Sequence, residues 1–126
     1  MDDFEPWADG ILIVATLVGP KRQQRVRMIL DTGATHTLVR VSVLKALGYE
    51  SALRQTTVEF TTAAGVEHGH IMEVRRLEAL HHAGENFPVI AHELPSEAVF
   101  DGLLGLDFLR HKKLVIDFRK GTISLT

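Results

Sequence analysis

The sequence contains no cysteine. That absence excludes a disulfide framework, an iron–sulfur centre, a thiol nucleophile and every cysteine-based zinc site, and it is compatible with a reducing compartment. Positive charge is not in excess either. Fourteen Lys and Arg against sixteen Asp and Glu leave a formal net charge of −2, with the signs interspersed. A basic surface that would draw phosphate backbones through counterion release is therefore missing, and nucleic acid is not expected as a partner. Long apolar runs are missing as well. The most apolar opening segment, Ile11-Leu12-Ile13-Val14-Ala15-Thr16-Leu17-Val18, is eight residues long, whereas a spanning helix needs roughly 20. The acidic start, Met1-Asp2-Asp3-Phe4-Glu5, does not read as a secretory leader. No membrane span is expected, and the chain reads as cytoplasmic or as a soluble domain of a longer anchored parent. Repeats and low-complexity tracts are also lacking.

What is present fits one domain of 126 residues, large enough to bury a core unaided. Residues 11–18 and Arg25-Val26-Arg27-Met28-Ile29-Leu30 read as the arms of a hairpin turned by residues 19–24, and the second arm becomes wholly apolar as it runs into Asp31. Ser42 is placed to cap a short helix over 43–47 that Gly48 ends. Residues 56–62 and 66–80 favour strand around a small Ala63-Ala64-Gly65 tip, which predicts a long hairpin. Gly84-Glu85-Asn86 predicts the next turn, and Phe87-Pro88-Val89-Ile90-Ala91 a strand in which Pro88 points to an edge or a strand start. A short strand, a helix and a terminal hairpin follow. In that hairpin Leu114, Ile116 and Phe118 alternate toward a core, with Lys113 and Asp117 on the other face.

A carboxylate directly after an apolar strand is costly to bury unless it is hydrogen-bonded or paired. Thr32, Gly33 and Ala34 permit a tight turn that holds Asp31 rigidly, with the glycine allowing close approach of a ligand. Three residues alone are equally an ordinary turn. Their company changes the reading: Asp31-Thr32-Gly33-Ala34 in the first third of the chain, and Asp101-Gly102-Leu103-Leu104-Gly105-Leu106-Asp107-Phe108-Leu109 near its end. Together these resemble the two signatures of the retropepsin-like, single-domain (clan AA) aspartic proteases, over about residues 9–126, with residues 1–8 as an N-terminal arm.

The resemblance implies an all-β fold: a retropepsin-like closed β-barrel with a flap hairpin, two short helices and a psi-type arrangement at the active-site loop. It implies an aspartic-type endopeptidase that hydrolyses extended, largely hydrophobic segments of a protein or peptide substrate without metal or organic cofactor. In such enzymes two neighbouring carboxylates share one proton and titrate as a pair, and together they activate a water. Asp101, Asp107 and Asp117 lack a following Thr-Gly, so Asp31 is expected to pair with Asp31 of a second identical chain. By the same resemblance Thr32 would lock the two loops together, Gly33 would offer its carbonyl to the substrate, and Ala34 would line the cleft. Thr35, Thr62, Ala63, Ala64, Gly65 and Leu103 join Gly33 as expected substrate contacts, core packing being the competing role for Leu103 and Leu104. Where retroviral enzymes carry an acid–arginine brace, this chain has Thr35 and Leu106, which likens it to bacterial or ubiquitin-shuttle-type relatives.

Bland alternatives stand beside this. His68 and His70 on one strand face, and the pair His81-His82, raise a metal site, against which no third ligand is conspicuous. His36 lies just beyond the aspartate loop and is expected at the surface. The rival function is a catalytically silent peptide-binding or dimerisation module on the same fold.

Overall fold

The structure, a computed structural model, describes residues 1–54, 57–62 and 65–126. Strands account for 52% and helices for 11% of the residues. In chain order the strands are β1 (Asp2–Asp3), β2 (Leu12–Val18), β3 (Gln23–Leu30), β4 (Leu38–Arg40), β5 (Thr57–Thr62), β6 (Gly65–Ala79), β7 (His82–His92), β8 (Gly102–Leu104), β9 (Leu114–Asp117) and β10 (Thr122–Leu125). Helix α1 is Val41–Leu47 and α2 is Leu106–Leu109. Among the described residues no helix is long and apolar enough to cross a membrane.

Period-2 patterning explains the strands. In β2 Ile13, Ala15 and Leu17 are buried, and in β3 Val26, Met28 and Leu30, while Arg25 and Arg27 face solvent. The sheet order β2-β3-β8-β4-β7-β6 closes on itself because the far end of β6 returns to pair with β2, Ala15 opposite Ala79. This makes a six-stranded barrel. The near end of β6 leaves the barrel and pairs with β5 as a hairpin. Tyr49 fastens the closure: its hydroxyl donates to the Val18 carbonyl at 2.7 Å and accepts from the Arg75 N–H at 2.8 Å. A separate three-stranded sheet, β1-β10-β9, packs Ile123 and Leu125 into the same core as Leu17, Leu44, Leu77 and Leu104. Each such buried side chain contributes roughly 1.5–3 kcal/mol of transfer free energy.

Several sequence expectations shift. The α1 helix begins at Val41 after Arg40, with no side-chain cap, so Ser42 lies inside its first turn and is not the N-cap. Gly48 does end it in the left-handed conformation, φ 104°. The turn expected at Gly84-Glu85-Asn86 is instead made by Leu80 and His81, both at positive φ, and residues 84–86 run within β7. Tertiary pairing to β6 overrides the local turn residues there. Pro88 lies inside β7 opposite Glu73, short of the Ile90–His92 stretch that β4 covers, so its missing N–H interrupts no ladder on that side. Phe118 lies past β9, 59% exposed, edge-on to Phe4 at 5.4 Å, and not in the core. His82 begins β7 and bonds the Leu125 carbonyl, while His81 is exposed beside Asp2.

The element that matters most for the site is β8. It runs parallel to β3 and antiparallel to β4, threading between the two arms that enter and leave the Asp31 loop, which is the psi arrangement. The fit leaves no room for a side chain at its start: a Cβ on Gly102 would lie 2.1 Å from the Leu38 carbonyl oxygen. Gly102→Ala is expected to lower unfolding free energy by about 1–3 kcal/mol through overpacking, read as a reduced urea midpoint at unchanged slope.

Candidate active site

Asp31 follows the last residue of β3, and its N–H continues the parallel ladder to the Leu104 carbonyl at 3.0 Å. Its Oδ1 accepts the Gly33 N–H at 2.9 Å, and the Ala34 N–H bonds back to the Asp31 carbonyl at 3.2 Å. The carboxylate is thus aimed by its own turn, half-buried, with a charge-assisted bond fixing one oxygen.

The turn is in turn held by the segment after β8. Leu106 N–H bonds the Ala34 carbonyl at 2.8 Å, and Asp107 N–H the Thr35 carbonyl at 3.3 Å. Gly105 lets the segments close up, since a Cβ there would sit 2.8 Å from both the Ala34 and the His36 carbonyl oxygens. The Asp107 carboxylate then accepts the Thr37 N–H at 3.0 Å and the Thr37 hydroxyl at 2.7 Å, and the same hydroxyl oxygen accepts the Gly105 N–H at 3.1 Å. A Thr37–Asp107 clasp therefore braces the loop, where Thr35 and Leu106 leave no acid–arginine pair. Sequence reasoning assigned this role to neither residue, although Asp107 falls within the Asp101–Leu109 segment. The available signal was an acidic residue in the first turn of a helix directly after Gly105.

A cleft of about 510 Å³ is lined by Asp31, Gly33, Ala34, Thr35 and His36 of the loop, by the apolar Leu38, Ile90 and Leu103, and by Glu59, Phe60 and Thr61 of β5. Leu103 is half-buried in this cleft and Leu104 fully buried in the core, so strand alternation separates the two roles left open by sequence. Thr32 is exposed. Thr62 and Gly65 pair at the end of the β5–β6 hairpin, and Ala63 and Ala64 lie outside the described residues. Glu59 is a second carboxylate in the cleft, exposed and 3.2 Å from His68 directly across the hairpin.

His68, His70 and His92 meet in another cavity, about 410 Å³, beside α1. Among the described residues no three His, Asp or Glu are arranged to hold a metal ion. His92 uses Nδ1 on the His68 carbonyl, 3.1 Å away.

The family model described as aspartyl protease matches residues 15–108, spanning the Asp31 loop, β8 and most of α2. The chain belongs to the aspartyl protease family. A retropepsin-like aspartic protease from Rickettsia conorii superposes with a TM-score of 0.61 at 18% identity, covering 86% of this chain and 76% of that one, a likeness of fold. No curated protein matches. In this chain the clasp is expected to be measurable by substitution. Asp107→Ala strands the buried Thr37 hydroxyl and N–H and is expected to cost about 1–3 kcal/mol, whereas Asp107→Asn, which keeps an acceptor, costs less; hydrogen exchange at Gly105 is expected to rise in the alanine variant.

Proposed function

We propose that this chain is half of an aspartic endopeptidase, with Asp31 from each of two copies forming the catalytic pair. The observation that carries the reading is the Asp31 carboxylate, fixed by the Gly33 N–H in a cleft also lined by Leu38, Ile90 and Leu103. One carboxylate takes a proton from the attacking water, while the proton held by the other passes to the peptide carbonyl oxygen. Collapse of the tetrahedral species then returns a proton to the leaving amine. Glu59 is a poor candidate for the second carboxylate, being exposed on the hairpin and engaged by His68. Thr32, exposed on the loop, is free to lock against its counterpart across the pair. The β5–β6 hairpin acts as a flap, Thr62 to Gly65 closing over an extended peptide whose backbone adds to strand edges. The apolar lining suits hydrophobic side chains, and Gly33 and Thr35 face the peptide backbone. The absence of cysteine fits work in the cytoplasm, or in a soluble domain of an anchored parent.

Cleavage of a peptide library tests this directly. Asp31→Asn is expected to lower kcat/KM by about 10²–10⁴-fold without loss of folding, and a statine-type inhibitor should block the wild type. Equal cleavage by both proteins removes Asp31 from the chemistry. Sharing of the site has its own readout. Titrating Asp31→Asn chains into the wild type is expected to reduce activity per wild-type chain as mixed pairs form, and unchanged activity per chain would mean that each copy works alone.

A further inference from the structure

Strands β6 and β7 run together from the Ala79–His82 rung to the His70–Ala91 rung. Beyond that rung, among the described residues, β6 pairs with β5 alone as the hairpin that leaves the barrel. His92, the last residue of β7, lies one position past the rung and reaches three residues of the departing hairpin. Its Nδ1 is 3.1 Å from the His68 carbonyl oxygen, its ring meets that of Phe60 edge-on with centroids 5.2 Å apart, and its Nε2 is 4.0 Å from Glu67 Oε2. Gly69 makes room for this arrangement. The space a Cβ would need there is taken by Ile90 Cγ2 at 2.8 Å and Phe60 Cε1 at 3.2 Å, so the Phe60 ring lies over bare backbone. Phe60 and Ile90 both line the Asp31 cleft, which puts His92 one ring away from it.

We propose that His92 is a positioning residue that latches the β5–β6 hairpin to the barrel and so sets Phe60 in the cleft. The proposal rests on the reading of this hairpin as a flap over bound peptide. All three contacts lie beyond the last β6–β7 rung, so losing them frees the hairpin without breaking the barrel ladder. A carbonyl oxygen only accepts, so Nδ1 carries a proton and donates it to His68. The neutral ring then turns a lone pair at Nε2 toward a carboxylate that also only accepts, and the third contact contributes nothing. When the ring takes a second proton, a charged Nε2–H faces Glu67, and an ion pair joins the hydrogen bond. Imidazole is the side chain whose ordinary titration falls between about pH 5 and 8. The latch therefore tightens as pH falls through that range and slackens as it rises. The surrounding charges favour the same direction. Glu67 and Glu59, the latter beside His68, belong to the hairpin, Glu93 follows on the chain, and Glu50 and Lys45 line the adjoining cavity with His70, four carboxylates against one ammonium.

Hydrogen exchange read along the chain tests the latch. His92→Ala is expected to raise exchange of the hairpin amides, residues 57–62 and 65–69, by roughly three- to tenfold, with residues 12–30 of the β2–β3 hairpin unchanged. His92→Asn, whose amide N–H can still reach the His68 carbonyl, is expected to recover much of that protection. After correction for intrinsic exchange, the wild-type hairpin is expected to be about two- to fivefold better protected at about pH 5.5 than at about pH 8. Glu67→Gln is expected to remove most of that difference, and Glu59→Gln to keep it. In peptide cleavage His92→Ala is expected to raise KM by about threefold or more with kcat within about twofold, since the Asp31 loop is untouched. Hairpin exchange equal in His92→Ala and wild type, or raised no more than in residues 12–30, overturns the proposal. So does a pH difference that survives Glu67→Gln or disappears in Glu59→Gln, because His68 would then carry the proton. Should His92→Ala fail to fold, His92→Asn and Glu67→Gln carry the test, and no pH difference between wild type and Glu67→Gln counts against the latch. A wild type that cleaves no peptide would instead remove the endopeptidase reading and leave the exchange result to decide this one.

Discussion

Thr37, fully buried, is the polar residue around which the site is built. A hydroxyl and an N–H with no access to water each need a partner, and leaving one unmet costs about 1–3 kcal/mol. Asp107, 70 positions away, meets both. That demand pins the start of α2 against the exit of the Asp31 loop, and the rest follows by distance. The Gly105 N–H is drawn onto the same hydroxyl, and the absence of a Cβ there lets two backbones run in contact. With β8 held between β3 and β4, alternation sends Leu104 inward and leaves Leu103 in the cleft. Asp31 is then positioned from both sides, by its own turn and by the Leu104 carbonyl.

The fold was legible where a residue type and a period agree. The β2–β3 hairpin, the β5–β6 hairpin, the left-handed stop at Gly48 and the order strand–helix–hairpin after Gly102 all follow from alternation and from glycine placement. Legibility failed where long-range pairing outweighs local preference. Residues 84–86 are good turn formers, yet they run within β7 because β6 offers a matched partner along nearly its whole length, and the reversal falls at Leu80 and His81. Phe118 continues the alternation of β9 on paper, but the strand ends at Asp117 and the ring goes to Phe4.

At the site the same division holds. Asp31, Gly33, Ala34, Thr35 and Leu103 were identified from two short segments and lie around one cleft. Leu38, Phe60 and Ile90 add its other apolar surface, and none of these carries a mark in the sequence separating it from ordinary core residues. Thr37 and Asp107 escaped for another reason. A clasp is a relation between two positions, and each is unremarked alone: a threonine in a polar loop, and an aspartate at a helix start where a solvated first-turn carboxylate is ordinary.

The chemistry of that clasp bears on how the Asp31 loop is held. The Asp31 loop is oriented by bonds from Gly33 to Asp31, from Leu106 to Ala34 and from Thr37 to Asp107. An acid–arginine brace has a different logic, since its charges are costly to leave unpaired and couple loop order to pairing. Thr37 and Asp107 need no such charge pair: one carboxylate meeting a buried hydroxyl and N–H shapes the loop from inside the fold.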